Sequence, residues 1–178
     1  MNILIAIPHI WNIRAELTEF LLTLNSYWHE AKILLSWGRP ITANRNKILK
    51  TFKESWFDYL LMIDSDIQPP KNLLEMVNND VDICSADIHT NNWAEIIKLA
   101  LEKVEWWYRT KQNLKEWLNK VDATWTGCLL LSKKAISDIW EFKWDDEDFN
   151  YCERARKKWY NVYYDTRYKC KHFQIYPL

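Results

Sequence analysis

The sequence predicts an α/β fold, a three-layer α/β/α sandwich around a mostly parallel sheet. Two observations carry this. Short apolar runs alternate with helix-length amphipathic segments along the whole chain, the pattern of strands covered by helices on both faces. The 178 residues contain neither a repeat nor a low-complexity linker, so a single domain, 1–178, is expected around one sizeable core.

Ile3–Ile7 reads as a buried first strand. Residues 12–27 follow as an amphipathic helix, with Ile13, Leu17, Phe20, Leu21 and Leu24 at helical spacing. Lys32–Leu35 is a second strand, and Thr42 has the chemistry of an N-cap for a helix carrying Ile48, Leu49 and Phe52. Tyr59–Ile63 is the third strand. Pro70 suits the first turn of a helix with Leu73, Leu74 and Val77, and Val81–Ser85 is a fourth strand. Ile96, Ile97, Ala100, Leu101 and Val104 predict a helix over 94–105, while 106–120 is ambiguous. Gly127–Ser132 reads as a strand and Lys134–Ile139 as a short helix. A further helix over 146–158, a strand over Asn161–Tyr164 and an extended Lys169–Phe173 complete the chain.

Composition narrows the function. Hydrophobic residues make up 48% and charged residues 27%, ordinary for a soluble domain. With 24 basic and 24 acidic side chains the formal net charge is zero, which argues against a nucleic acid polymer as partner. The longest apolar runs, such as Leu60–Ile63, are far too short to cross a bilayer. MNILIAIPHI has no basic leader and meets Pro-His at once, so it reads as a strand rather than a signal peptide, and a cytoplasmic location is expected. Cys84, Cys128, Cys152 and Cys170 lack the CxxC or CxxH spacing of zinc sites and read as free thiols.

Chemistry concentrates at YLLMIDSDIQPP, residues 59–70. Ligands of α/β sheets collect beyond the carboxyl ends of the strands, and there Asp64 and Asp66 stand one residue apart. Two such acids on a turning backbone can share Mg²⁺ or Mn²⁺, hard cations that bridge carboxylates to substrate phosphates. The tripeptide alone is equally compatible with one Asp capping the turn and the other facing water.

The order of segments resembles the GT-A glycosyltransferases, particularly the family-two-like members with a DxD motif. ILIAIP, ITANRNKIL, DYLLMIDSDIQPPKNLLEMV, GCLLLSKKAI, DDEDFNYCERARKKW and a late basic strand with His172 carry the resemblance across essentially the whole chain. It implies that Asp64 and Asp66, with Ser65 between them, bind the metal (Mn²⁺ or Mg²⁺) and the diphosphate of a nucleotide sugar, and that His172 completes the metal site. It implies that Pro8 and His9 lie beside the base and that Arg45 contacts the diphosphate. Asp148 of the Glu147-Asp148 pair would deprotonate the acceptor hydroxyl of a glycan, lipid-linked or protein substrate, with inversion at the anomeric carbon. Plainer roles exist for each: an acidic run favours a helix N-terminus, Arg45 could pair with Glu54, and His172 could be a packed strand histidine. The length leaves little room for an acceptor domain, so a partner, a membrane surface or a second copy would complete the acceptor side.

Three alternatives compete. A nucleotidyltransferase wants a Gly-rich phosphate loop near its N-terminus, which IPHIWNIRAEL does not clearly supply. A haloacid-dehalogenase-type phosphatase expects its DxD on the first strand, with Thr or Val where Gln68 stands. A degenerate GT-A fold would bind nucleotide sugar or glycan without turnover.

The chain holds 12 Trp and only 2 Gly, an inversion of ordinary usage. Trp125 stands where the family places glycine before a strand, and Trp159 occupies a helix-to-strand corner that wants positive φ. Trp28 and Trp56 fall in turns, and Trp106-Trp107 would be an ordinary break as Gly-Gly. Many of the tryptophan codons are expected to be UGA, read as glycine in the source organism, with a tryptophan platform for stacking sugars as the alternative.

Overall fold

The computed structural model describes residues 1–24, 30–92, 95–143 and 147–173. The chain runs β1 (Asn2–His9), α1 (Ala15–Leu22), β2 (Glu30–Trp37), α2 (Ile41–Lys53), β3 (Tyr59–Ile63), β4 (Ile67–Gln68) and a 3-10 helix (Leu73–Asn79). It continues through β5 (Ile83–Asn92), β6 (Glu95–Lys98), β7 (Ala100–Val104), β8 (Trp107–Thr110), β9 (Leu118–Val121) and β10 (Ala123–Thr124). β11 (Cys128–Ser132), α3 (Lys133–Asp138), α4 (Glu147–Lys157) and β12 (Val162–His172) close it.

Among the described residues the main sheet has the order β2-β1-β3-β11-β5-β12-β4, with β6 on β5 and β9 on β12. β2, β1 and β3 are mutually parallel, as are β5 and β12, and β11 runs antiparallel between β3 and β5. β10, β7 and β8 form a separate small sheet.

The side-chain alternation of a strand splits the core into two layers. Leu4 and Ala6 of β1 join Leu60 and Met62 of β3 beneath Ile48, Leu49 and Phe52 of α2 and Tyr151, Cys152 and Ala155 of α4. Ile3, Ile5 and Ile7 face the other way with Leu61 and Ile63, against Leu17 and Phe20 of α1 and Leu73 and Met76 of the 3-10 helix. Each of the buried Leu, Ile, Phe and Met side chains contributes about 1.5–3 kcal/mol. The continuous apolar runs of β1 and β3 follow from this burial on both faces. Burial also pushes the Cys84 thiol upward and that of Cys152 to about 12, so both behave as inert core residues.

The main departure from the sequence reading is at 94–105, where β6 and β7 replace the expected helix. β6 folds back on β5 as an antiparallel hairpin, and β7 pairs with both β8 and β10. The apolar spacing fitted a helix, but the open edges of β5 and β10 supply partners that local periodicity does not register. Helix α2 begins two residues earlier than expected, behind Pro40, and the Thr42 hydroxyl caps nothing there. Pro70 leads into a 3-10 helix rather than an α-helix. The two late extended segments are one strand, β12, bulged between Asp165 and Lys169.

Candidate active site

Strand β3 stops at Ile63, and the chain turns through Asp64-Ser65-Asp66 before β4 pairs with the far end of β12. The DSD segment is therefore a crossing between sheet positions. Four backbone bonds fix it: Asp64 N–H to Gly127 O (2.8 Å), Arg14 N–H to Ser65 O (3.1 Å), Phe173 N–H to Asp66 O (2.9 Å) and, across the turn itself, Ile67 N–H to Asp64 O (3.1 Å). A Cβ on Gly127 would lie 3.3 Å from Ile88 Cδ1 and 3.4 Å from Asp64 Oδ2, so glycine keeps room for the first aspartate.

The two aspartates point to different partners. Asp64 receives Arg45 Nη2 on both oxygens, at 2.8 and 2.9 Å. Asp66 Oδ2 faces His172 Nε2 at 3.2 Å, a pairing set by the His172↔Ile67 register of β12 and β4. The hydrogen bond that His172 donates to Asp66 raises the His172 pKa against the effect of burial.

Arg45 is only 4% exposed and sits amid three carboxylates. Its Nη1 donates to Glu147 Oε1 and, at 3.3 Å, to Asp148 Oδ1. Burial opposes its charge, yet Asp64, Asp148 and Glu147 together raise its pKa further. The guanidinium thus bridges the DSD turn and the first turn of α4, where acidic residues also meet the positive end of the helix. The Thr126 hydroxyl donates to Asp148 Oδ1 and that of Thr42 to Glu147 Oε2. Burial raises the Asp148 carboxyl above its ordinary range, against the pull of Arg45 and Thr126.

Pro8 and His9 end β1 and line a cleft of about 630 Å³ together with Trp11, Arg14, Asp64 and Asp66. Its wall is braced by Asn44, which donates to Ser36 O at 2.7 Å and to His9 O at 3.4 Å. All nine site residues expected from the sequence thus lie at one end of the sheet: Pro8, His9, Asp64, Ser65 and Asp66 on the cleft, Arg45, Glu147 and Asp148 behind it, and His172 against Asp66. Sequence reasoning passed over Thr126 and Thr42. The only signal for Thr126 was its place beside Gly127, and Thr42 was spent on a cap.

Among the described residues no three His, Cys, Asp or Glu side chains converge as a ready-made metal cage. The residues nonetheless fit a hard divalent cation. Adjacent ligands of an octahedral ion stand about 3 Å apart, close to the spacing of Asp66 Oδ2 and His172 Nε2, and such ions take their other ligands from phosphate and water. No helix among the described residues is long and apolar enough to cross a membrane.

No protein-family model matches the chain, and no curated protein matches its sequence. Solved structures do match. A197 from STIV is 18% identical with a TM-score of 0.68, over 98% of this chain and 87% of that one. GalNAc-T7, solved with UDP, GalNAc and Mn²⁺, is 10% identical with a TM-score of 0.71, over 99% of this chain and 44% of that one. CMP:2-keto-3-deoxy-manno-octonic acid synthetase, solved with CTP, is 8% identical with a TM-score of 0.54, over 92% and 89%. At these identities the likeness is one of fold, and the fold is the three-layer GT-A type.

Proposed function

We propose that the protein is a metal-dependent glycosyltransferase that moves a sugar from a nucleoside diphosphate donor to a hydroxyl acceptor. One observation carries the reading: Arg45 joins the Asp64 carboxylate of a strand-end cleft to the Asp148 carboxylate at the start of α4. Donor-side and acceptor-side acids are thereby held in one rigid group. The structures with UDP and Mn²⁺ and with CTP share this fold, which supports a nucleotide as the ligand of the cleft.

Pro8 and His9 would flank the base, and Asp66 with His172 would hold Mn²⁺ or Mg²⁺ against the diphosphate. When bound, the cation neutralises the charge that develops on the leaving diphosphate. Arg45, whose described hydrogen-bond partners are all carboxylates, positions Asp64 and Asp148. Asp148 keeps Oδ1 on Thr126 and Arg45, and its Oδ2 has no hydrogen bond among the described residues. That oxygen takes the acceptor's hydroxyl proton. The acceptor oxygen then bonds to the anomeric carbon as the bond to diphosphate breaks, inverting the centre without a covalent intermediate.

Incubation with labelled nucleotide sugars, Mn²⁺ and hydroxyl acceptors tests the proposal. Sugar transfer with release of nucleoside diphosphate is expected. In a parallel incubation with nucleoside triphosphates and sugar phosphates, release of inorganic pyrophosphate would identify a nucleotidyltransferase, and metal-dependent nucleotide binding without transfer to any acceptor would identify a binding protein.

A further inference from the structure

The tryptophans stand where glycine belongs. All nine described ones are exposed, from 39% at Trp125 to 94% at Trp159, although Trp is normally among the most buried side chains on average. Seven of them (Trp11, Trp56, Trp106, Trp117, Trp125, Trp140 and Trp159) lie between elements, and Trp37 and Trp107 are terminal residues of strands. Trp28, Trp93 and Trp144 fall outside the described residues.

Backbone geometry makes the case at individual positions. Trp159 has φ 68° and Trp117 φ 83°, the left-handed region that an L side chain enters only at a cost. At the end of α4, Trp159 N–H bonds to Arg156 O (3.0 Å) and Tyr160 N–H to Ala155 O (3.1 Å). That pair of bonds is the Schellman motif, whose left-handed residue is usually glycine. Trp159 fills that place with its indole in water. The β7–β8 hairpin turns through Glu105-Trp106, where the positive φ (53°) falls on Glu105 and the Trp106 indole is 85% exposed. Neither of the two actual glycines has a positive φ.

A stacking platform for sugars does not explain this arrangement. Trp159 follows α4, Trp106 caps a hairpin of the small sheet, and Trp56 joins α2 to β3. These positions form no common ridge, and a platform has no use for positive φ.

We infer that the natural chain carries glycine at these positions, encoded by UGA, which some bacterial lineages read as glycine and which differs from the tryptophan codon UGG in one base. The inference goes beyond the transferase reading and does not depend on it. Its consequence for the site lies at residues 11 and 37. Trp11 lines the candidate donor cleft with its ring under the Arg39 guanidinium at 4.1 Å, and Trp37 Nε1 donates to Ile10 O at 2.8 Å. Glycine at residue 11 removes an indole from the cleft lining, glycine at residue 37 frees the Ile10 carbonyl beside it, and a nucleobase can then approach the backbone after β1.

The test is the mass of the tryptic peptide 159–167 from protein made in its native source, read beside the gene. Glycine at residue 159 and UGA at codons 117 and 159 are expected. Tryptophan in the peptide, or UGG at both codons, overturns the inference. In protein made with tryptophan, Trp159→Gly should raise the melting temperature by about 2–4 °C by relieving the left-handed corner, and a fall on that substitution counts against it.

Discussion

Two arginine–carboxylate groups, one at the bulge of β12 and one at the head of α4, use the same chemistry to opposite effect. Near the bulge of β12, Asp165 is fully buried and every oxygen is occupied. Its Oδ1 accepts from the backbone N–H and Nε of Arg167 at 3.0 and 2.9 Å, and its Oδ2 from Arg167 Nη2 at 2.5 Å and Asn79 Nδ2 at 2.7 Å. Burial pushes that carboxyl up, but Arg167 and Asn79 overcome it and hold it below the usual range. At the head of α4, one arginine serves three carboxylates, and burial wins at Asp148. A saturated carboxylate holds the fold together, whereas an underserved one is poised to take a proton.

The comparison breaks most visibly at Asp148. Asp148→Asn should cut sugar transfer by about 10²–10⁴-fold while the melting temperature holds or rises, because a buried charge has been removed. A variant with full turnover would remove Asp148 from the chemistry. Asp165→Asn should do the reverse. It should cost about 2–4 kcal/mol of stability in urea or thermal unfolding, since it disrupts a buried charged network, with activity per folded molecule unchanged.

The two carboxyls should also bend the pH profiles in opposite directions. Asp165 has a lowered folded pKa, so its contribution is present above the unfolded carboxyl value near 3.8 and is lost as pH falls through the folded value. Asp148 has a raised folded pKa, so its ionisation costs stability as pH rises from the unfolded value through the folded one. The same raised pKa places the acid limb of kcat/KM above the ordinary carboxylate range, because the base must be ionised to act. Loss of that limb in Asp148→Asn, measured on residual activity, assigns it.

The saturated Asp165 group was not legible in the sequence, but the central strands and the cleft were, and the reasons are local. The runs NILIAIP and YLLMI could bury only as central strands, and Asp64 and Asp66 at the end of one of them marked the cleft. The Trp159 corner was legible because a helix must stop before Tyr160 enters the core. What stayed hidden depended on partners distant in the chain. Residues 95–104 became strands because β5, β8 and β10 were there to pair with them. Nothing near Arg45 in sequence announces that its guanidinium meets residues 19, 102 and 103 positions away. Thr126 acquires its role only when β11 is laid beside β3.

The most direct measurement is the thermal shift of the wild-type chain and of Asp66→Asn with nucleoside diphosphates, with and without Mn²⁺. Ligand at a hundredfold over its Kd stabilises the folded state by about 2.7 kcal/mol, a rise of about 5–10 °C for a domain of this size. The account predicts that rise in the wild type only when Mn²⁺ and nucleotide are both present, and its loss in Asp66→Asn. An equal rise without metal, or one that survives in Asp66→Asn, would contradict it.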